Sequence, residues 1–234
     1  MIHNTSNHIN SFEMYDNIVV WDEWDSSHAY YGSDVYYYDL VDDWQYTVVS
    51  NSTDLDEYYP KVSGHNIAYQ LHNSTYSNIE VYNLRSNKKT RLFDDNRTIL
   101  EFDIWENSLV YVWEYNDNWD RRAMYYDLQT GKESVILEDA RNMGIFEIYQ
   151  DKIFWVDNWD INITYIDQDG DGTYDWNDAF PKDPSEIYDA DNDGIGDVKD
   201  PDDDNDGHPD LHDMFPMNSS EWWDSDLDGI GNNG

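Results

Sequence analysis

Residues 167–178 read Asp-Gln-Asp-Gly-Asp-Gly-Thr-Tyr-Asp-Trp-Asn-Asp, and the chain repeats that phrase three more times before residue 234. On a twelve-position loop, Asp167, Asp169 and Asp171 take positions 1, 3 and 5, Gly172 position 6, Asp175 position 9 and Asp178 position 12. The second copy is Asp189, Asp191, Asp193, Gly194, Asp197 and Asp200, and the third is Asp202, Asp204, Asp206, Gly207, Asp210 and Asp213. The fourth has Asp224, Asp226, Asp228, Gly229 and Asn232, and its position 12 would be residue 235. A hard cation the size of calcium takes roughly six to eight oxygens at about 2.3–2.6 Å, and alternate side chains of a tightly curled loop supply them. Glycine at position 6 permits the sharp turn that a Cβ resists. Position 7, occupied by Thr173, Ile195, His208 and Ile230, needs no polar side chain because it would donate only its backbone carbonyl. An acidic, solvated tail is the usual reading of a like-charge run. Such a tail needs no register, whereas three complete copies here keep glycine and all five carboxylates in place.

The copies alternate in spacing. Asp167 to Asp202 and Asp189 to Asp224 are each 35 residues, while Asp167 to Asp189 is 22 and Asp189 to Asp202 is 13. The long units carry matching connectors, AFPKDPSEIY after Asp178 and MFPMNSSEWW after Asp213, in which Phe180/Phe215, Pro181/Pro216 and Glu186/Glu221 coincide. Residues 167–234 on this pattern resemble the thrombospondin type 3 repeat, a calcium-wrapped module. The resemblance implies a segment with little regular secondary structure, organised around Ca2+ as its cofactor. Animal members carry disulfides between loops and this chain has no cysteine, so Phe180, Pro181, Phe215 and the Trp222–Trp223 pair are expected to pin neighbouring loops instead. EF-hands and dockerins use similar loops, but each would follow position 12 with a helix, and Pro181 and Pro216 fall three residues after Asp178 and Asp213.

The formal charge is −38, and the tail from residue 167 supplies 22 acidic and 2 basic residues of it. Nucleic acid is an improbable partner for such a chain, which has nothing to neutralise phosphates. Carboxylates crowded at one point repel by roughly 4 kcal/mol per pair at about 4 Å and an effective dielectric near 20. Without metal the tail is expected to unfold. Weak calcium sites of extracellular modules operate at ambient calcium outside the cell, which points to an extracellular or cell-surface location. Six Asn-x-Ser/Thr sequons, at Asn4, Asn51, Asn73, Asn96, Asn162 and Asn218, lend this weak support. No stretch approaches the ~20 apolar residues of a membrane span, and no signal peptide follows Met1. Export information is expected elsewhere, or in a longer polypeptide of which this is a piece.

Residues 1–166 also repeat, with a period of about 44 residues. FEMYDN (12–17), FDIWEN (102–107) and FEIYQD (146–151) align, and each is followed by an apolar run: IVVW (18–21), LVYVW (109–113) and IFWV (153–156), with IAY (67–69) in the remaining unit. A third run follows in DVYYYDL (34–40), IEVYNL (79–84), AMYYDL (123–128) and INITYID (161–167), and a fourth in QYTVVS (45–50), KKTRLF (88–93) and KESVIL (132–137). Their length, β-branched and aromatic content and bounding Asn, Asp and Gly make these strands. Four short antiparallel strands per unit is the signature of a propeller blade. The strand ending in YDL and the turn Gln129-Thr130-Gly131-Lys132 resemble the TolB-type β-propeller over residues 11–166, although that family's common SPDG turn is absent. The expected fold is all-β: a partial β-propeller of three blades (11–50, 58–93, 100–138) plus an incomplete fourth (144–167), followed by an irregular calcium-stapled rod. Domains 1–166 and 167–234 follow. An open arc belonging to a larger propeller is expected, with residues 1–10 a poor candidate for the missing strand.

Tyr15, Trp105 and Tyr149 in first strands, and Tyr69, Tyr111 and Trp155 in second strands, occupy equivalent positions and read as core. Trp24, Tyr30, Tyr31, Trp44, Trp119 and Trp159 remain as candidates for a carbohydrate platform. No nucleophile elbow, HExxH, phosphate loop or cysteine is present, and the expectation is a protein that is not an enzyme. The expected function is that of an extracellular calcium-binding protein whose propeller is an interaction surface and whose repeats form a stiff spacer, in adhesion or surface assembly. Its partner is calcium plus a surface protein or polysaccharide. The alternatives are the non-catalytic propeller half of a secreted hydrolase, or a lectin.

Overall fold

A computed structural model describes residues 8–24, 32–41, 44–47, 55–72, 77–93, 95, 97–115, 120–157 and 160–232. The chain divides into two compact units, Met1–Ile163 and Thr164–Gly234.

The first unit contains four antiparallel sheets, each in sequential strand order. Blade one is β1 (His8–Tyr15), β2 (Ile18–Trp24), β3 (Ser33–Asp39) and β4 (Trp44–Thr47). Blade two is β5 (Asp56–Ser63), β6 (Asn66–His72), β7 (Ser77–Asn83) and β8 (Lys88–Arg91). Blade three is β9 (Thr98–Trp105), β10 (Ser108–Tyr115), β11 (Asp120–Asp127) and β12 (Lys132–Leu137). The fourth sheet has three strands, β13 (Met143–Tyr149), β14 (Lys152–Asp157) and β15 (Asp160–Tyr165). This is a four-blade propeller arrangement with an incomplete last blade. Its first strand starts earlier than the sequence suggests: His8, Ile9 and Asn10 extend β1, pairing His8 with Trp24 and Ile9 with Glu23 across a register shift before Ser11.

The repeating local sequence has a repeating local cause. Each β1–β2-type hairpin turns through two residues, the first of them left-handed: Asp16 (φ 53°), Gly64 (56°), Glu106 (51°) and Gln150 (58°). Only Gly64 adopts this conformation without a steric penalty. The Asp or Asn of the YDL phrase opens the next hairpin by accepting backbone N–H groups. Asp39 Oδ1 accepts from Val41 (2.8 Å) and Asp127 Oδ1 from Gln129 (2.6 Å), the Asx-turn geometry that short polar side chains favour, and Asn83 Oδ1 accepts from Ser86, three residues on (3.0 Å). The leucine after it ties the two turns together, because Leu40, Leu84 and Leu128 donate their N–H to the carbonyls of Asn17, His65 and Asn107.

Blades pack face to face, so an inner-sheet strand is buried on both sides and loses the polar alternation of a one-sided sheet. In β6, Ile67, Tyr69 and Leu71 join Ile18, Val20, Val35 and Tyr37 of blade one, while Ala68 between them joins Ile99, Phe102, Ile104, Leu109 and Tyr111 of blade three. Tyr69 and Tyr111 are fully buried, as the sequence suggests. The first-strand aromatics differ. Tyr15 meets Trp105 edge-on at 5.8 Å, across blade two where Ser63 is the equivalent residue, and Trp105 meets Tyr149 at 4.6 Å. They form a column along the blade ends, and Tyr149 is 54% exposed. Of the candidate aromatic platform, Trp24 is exposed. Tyr30, Tyr31, Trp119, Trp159 and the side chain of Trp44 lie outside the described residues.

Candidate metal centres

The second unit inverts the usual burial rule. No apolar side chain of residues 167–232 is buried, whereas Asp178, Glu186, Asp203, Asp204, Asp213 and Asp224 are. Buried charges persist only when paired or bound to metal.

The geometry of the loops explains how they come to be held. Position 1 faces inward and accepts the N–H of the position 6 glycine in every copy: Gly172 to Asp167 (3.2 Å), Gly194 to Asp189 (3.1 Å), Gly207 to Asp202 (3.1 Å) and Gly229 to Asp224 (2.8 Å). These glycines have φ of 86–98°, and no other atom lies within 4 Å of where a Cβ would stand. The backbone conformation, not space, therefore demands glycine. Position 5 accepts the N–H of position 7, as in Thr173 to Asp171 (2.6 Å), Ile195 to Asp193 (2.8 Å), His208 to Asp206 (2.7 Å) and Ile230 to Asp228 (2.9 Å). Position 9 closes the loop twice over. The N–H groups of Asp175, Asp197, Asp210 and Asn232 donate to the carbonyls of Ile166, Tyr188, Pro201 and Trp223. Their side chains accept the N–H of position 2, from Gln168, Ala190, Asp203 and Ser225.

These contacts bring positions 1, 3 and 5 of all four loops together. Asp167, Asp169 and Asp171 each offer one oxygen, all within 4.8 Å of one another, as do Asp189, Asp191 and Asp193, Asp202, Asp204 and Asp206, and Asp224, Asp226 and Asp228. Asp167, Asp189 and Asp224 spend both oxygens on backbone N–H groups, whereas several other carboxylates leave one oxygen without a partner. In the first loop these are Asp169 Oδ2, Asp171 Oδ2 and Asp178 Oδ2, and in the third Asp202 Oδ1, Asp204 Oδ2 and Asp213 Oδ2. Orphaned, buried carboxylate oxygens, at positions 3, 5 and 12 of the first loop and 1, 3 and 12 of the third, are the donor set of a hard divalent cation. The residues present therefore fit calcium. Burial, then the charges of Asp171, Asp178 and Asp167, pushes Asp169 above the ordinary carboxylate range. Burial likewise raises Asp175 to about 6. In Asp224 the dominant influence is the hydrogen bond from Gly229, which lowers it.

The loops that lack a following helix are terminated quickly. Asp175–Asn177 and Asp210–His212 are single 3-10 turns, and Asp178 and Asp213 are already extended. No α-helix occurs among the described residues, so neither the EF-hand nor the dockerin pattern is met.

Two further pairs emerge that the loop spacing does not name. Glu186, only 2% exposed, lies so close to Gly196 that a Cβ there would stand 2.1 Å from its Oε2, and Glu221 is 2.0 Å from the equivalent point on Gly231. Val198 donates its N–H to Glu186 Oε2 (3.1 Å) and Lys199 Nζ lies 3.2 Å from Oε1. The connector glutamate thus staples itself over position 8 of the loop that follows. The signal was present: position 8 is glycine only in the two loops that follow a connector, and is Tyr174 and Pro209 in the others. The expected aromatic pinning is narrower than supposed. Trp222 stacks on His208 at 4.2 Å and 3° and meets Trp223 at 6.2 Å, while Phe180, Pro181 and Phe215 are half-buried.

Comparison with family profiles finds a repeat family inside the second unit. Residues 188–221 match the thrombospondin type 3 repeat. The match spans the second loop, the third loop and the connector after it, and the first and fourth thrombospondin-like loops share their geometry. No curated protein matches the chain. Among solved structures, the β-propeller domain of the Trilobed protease from Pyrococcus furiosus is similar at a TM-score of 0.52 and 14% identity, covering 68% of this chain and 55% of that one. The tricorn protease is similar at 0.51 and 11%, covering 71% and 22%. TolB from Acinetobacter baumannii is similar at 0.41 and 10%, covering 61% and 38%. The chain spans about half the length of the first of these and less of the others. The first two likenesses concern the propeller fold. The protein combines propeller blades with a calcium-binding repeat.

Proposed function

We propose that this is an extracellular or cell-surface calcium-binding protein in which the blades present an interaction surface and the thrombospondin type 3-like repeats act as a calcium-stiffened spacer, in adhesion or surface assembly. The observation that carries the reading is the tail's inverted interior, in which the buried side chains are carboxylates and Asp178, Asp203, Asp204 and Asp213 each leave an oxygen without a partner. Such a unit has no hydrophobic core to fold around, so its stability is the binding free energy of its ions. Weak multiple sites suit the high calcium outside cells. The binding partner is a surface protein or polysaccharide, and the role is non-catalytic.

Isothermal calorimetry of the full chain with calcium, with circular dichroism on the same samples, tests this. Saturable binding of several ions, with chelation exposing residues 167–232 to proteolysis, is the expected result. A tail equally protease-resistant with and without chelator would overturn it. A second reading, the non-catalytic propeller part of a hydrolase, is favoured by the protease origin of two of the similar structures. Co-purification of the chain with a hydrolytic polypeptide would support it over the spacer reading.

A further inference from the structure

The first strand of each blade meets its neighbours in one recurring way. Phe102 and Ile104 of β9 are buried in a core they share with Ala68, Ile79 and Val81 of blade two, and Val62 of β5 in one it shares with Ile18, Val20, Val35 and Tyr37 of blade one. Phe146 and Ile148 of β13 are buried at the same two places. Alternate residues of a first strand thus face the blade before it. In β1 these residues are Phe12 and Met14, because Met14 pairs with Val19 where Val62 pairs with Ile67, Ile104 with Leu109 and Ile148 with Ile153. Among the described residues no blade precedes β1. Phe12 and Met14 are accordingly 76% and 62% exposed.

The residue between them carries the polar half of the contact, toward the blade that follows. Glu13 Oε1 accepts the N–H of Val62 (3.3 Å), and Asp103 Oδ2 accepts that of Ile148 (2.8 Å). In blade two Lys61 holds this place and pairs with Asp103 of blade three at 3.5 Å. In blade four it belongs to Glu147, which lies opposite Phe154 on β14, as Glu13 lies opposite Val20, Lys61 opposite Ala68 and Asp103 opposite Val110. Val20, Ala68 and Val110 are fully buried, whereas Phe154 is half-buried. Blade four therefore ends in a carboxylate and an apolar residue at the places that receive a next blade. Blade one begins with the residues that such a surface receives.

We propose that blade one of one copy of this chain seats on blade four of a second copy, with Phe12 and Met14 covering Phe154 and the Met14 N–H donating to Glu147, and that the same contact in the reverse sense closes two arcs into one ring. The occupant is a second copy because both open faces belong to one chain. They complement each other, in apolar character and in donor and acceptor, by the pattern that joins the chain's own blades. Two four-sheet arcs supply eight sheets, inside the range of roughly four to eight blades in closed propellers. A head-to-tail contact of this kind is satisfied at every face when it closes, and leaves open ends when it does not.

Sedimentation equilibrium of the full chain in calcium is expected to show a dimer, at about 0.15 M salt to screen the charge of −38 on each copy. Phe12→Glu alters a side chain that packs little within one copy and sets a second carboxylate beside Glu147 of the other. It should raise the dimer dissociation constant at least about tenfold, with circular dichroism unchanged. The chain has no cysteine, so Phe12→Cys and Phe154→Cys variants, mixed and treated with a short thiol-to-thiol cross-linker, should give a covalent dimer containing one of each. Phe12→Cys joined to itself instead would place blade one against blade one and overturn the proposal. A monomer at every concentration, which would leave the face to blades of another polypeptide, also overturns it. So does an open series of higher oligomers, or a dimer indifferent to Phe12→Glu.

Discussion

Replacing Gly196 by alanine tests the connector staple, and the structure predicts a change of sign with background. Gly196 does not have a left-handed φ, so alanine suits its backbone. In isolation such a change stabilises by about 0.4–1 kcal/mol, through the unfolded chain. The methyl group, however, would lie 2.1 Å from Glu186 Oε2 and 2.5 Å from its Cδ. The glutamate is flexible enough to swing away, but doing so breaks the bond from the Val198 N–H. A hydrogen bond to a charged group contributes about 1.5–3 kcal/mol, and the exposed Lys199 contact adds little. The net expectation is a loss of about 1–2 kcal/mol for Gly196→Ala alone. With Glu186→Ala already present, the same substitution has nothing to displace and becomes neutral to stabilising. The assay is limited proteolysis of the calcium-loaded full chain, with cuts mapped by mass spectrometry to residues 188–200. Opening at equilibrium tracks stability, and about 1.4 kcal/mol is tenfold, so cleavage should quicken roughly five- to thirtyfold in the single variant. Additive effects of Gly196→Ala and Glu186→Ala, with no coupling in the double variant, would refute the staple.

Asp204→Ala removes a ligand whose Oδ2 has no other partner and should weaken the third loop's calcium more than tenfold by calorimetry. Asp127→Ala should leave calcium binding unchanged while destabilising blade three by about 1 kcal/mol through its lost turn hydrogen bonds. Lys61 lies 3.2 Å from Glu13, 3.5 Å from Asp103 and 4.0 Å from Glu147, one residue from each first strand. Lys61→Met should therefore lower the thermal midpoint at pH 7, by about 1–2 kcal/mol in stability after allowing for solvent screening. The loss should shrink at pH 5, because burial first and Asp103 second already push Glu147 to about 7. Burial followed by the charges of Asp34, Asp56 and Glu80 raises Glu57 from 4.5 to about 8. The folded form then binds more protons than the unfolded form within that window, so stability falls as pH rises through it and levels above it. Melting curves of wild type and Glu57→Gln at pH 5 to 9 check this, and parallel profiles would contradict it.

Elements with a local cause are legible in the amino-acid sequence. Calcium loops are set by residues at fixed offsets within twelve positions, where a glycine conformation and alternate carboxylates decide the turn, so Asp167 through Asp228 could be placed in register from spacing alone. Blade strands were legible for a similar reason: a two-residue turn, an apolar run and an Asx turn recur about every 44 residues and each forms from its near neighbours. What meets across blades and between loops is settled by packing of the folded chain. His8–Asn10 became strand because Glu23 and Trp24 offered them a partner, not because their composition favours it. Tyr15, Trp105 and Tyr149 share one sequence position, yet they form a half-exposed column because Ser63 leaves the gap between the first two open for contact. Glu57 reads as one acidic residue among 51, and its significance lies in complete burial against blade one. Glu186 and Gly196 lie ten residues apart, and their contact follows from how the connector folds back over the loop. Burial and long-range proximity are properties of the packed chain, and no pattern of neighbouring residue types encodes the distance at which two such groups meet.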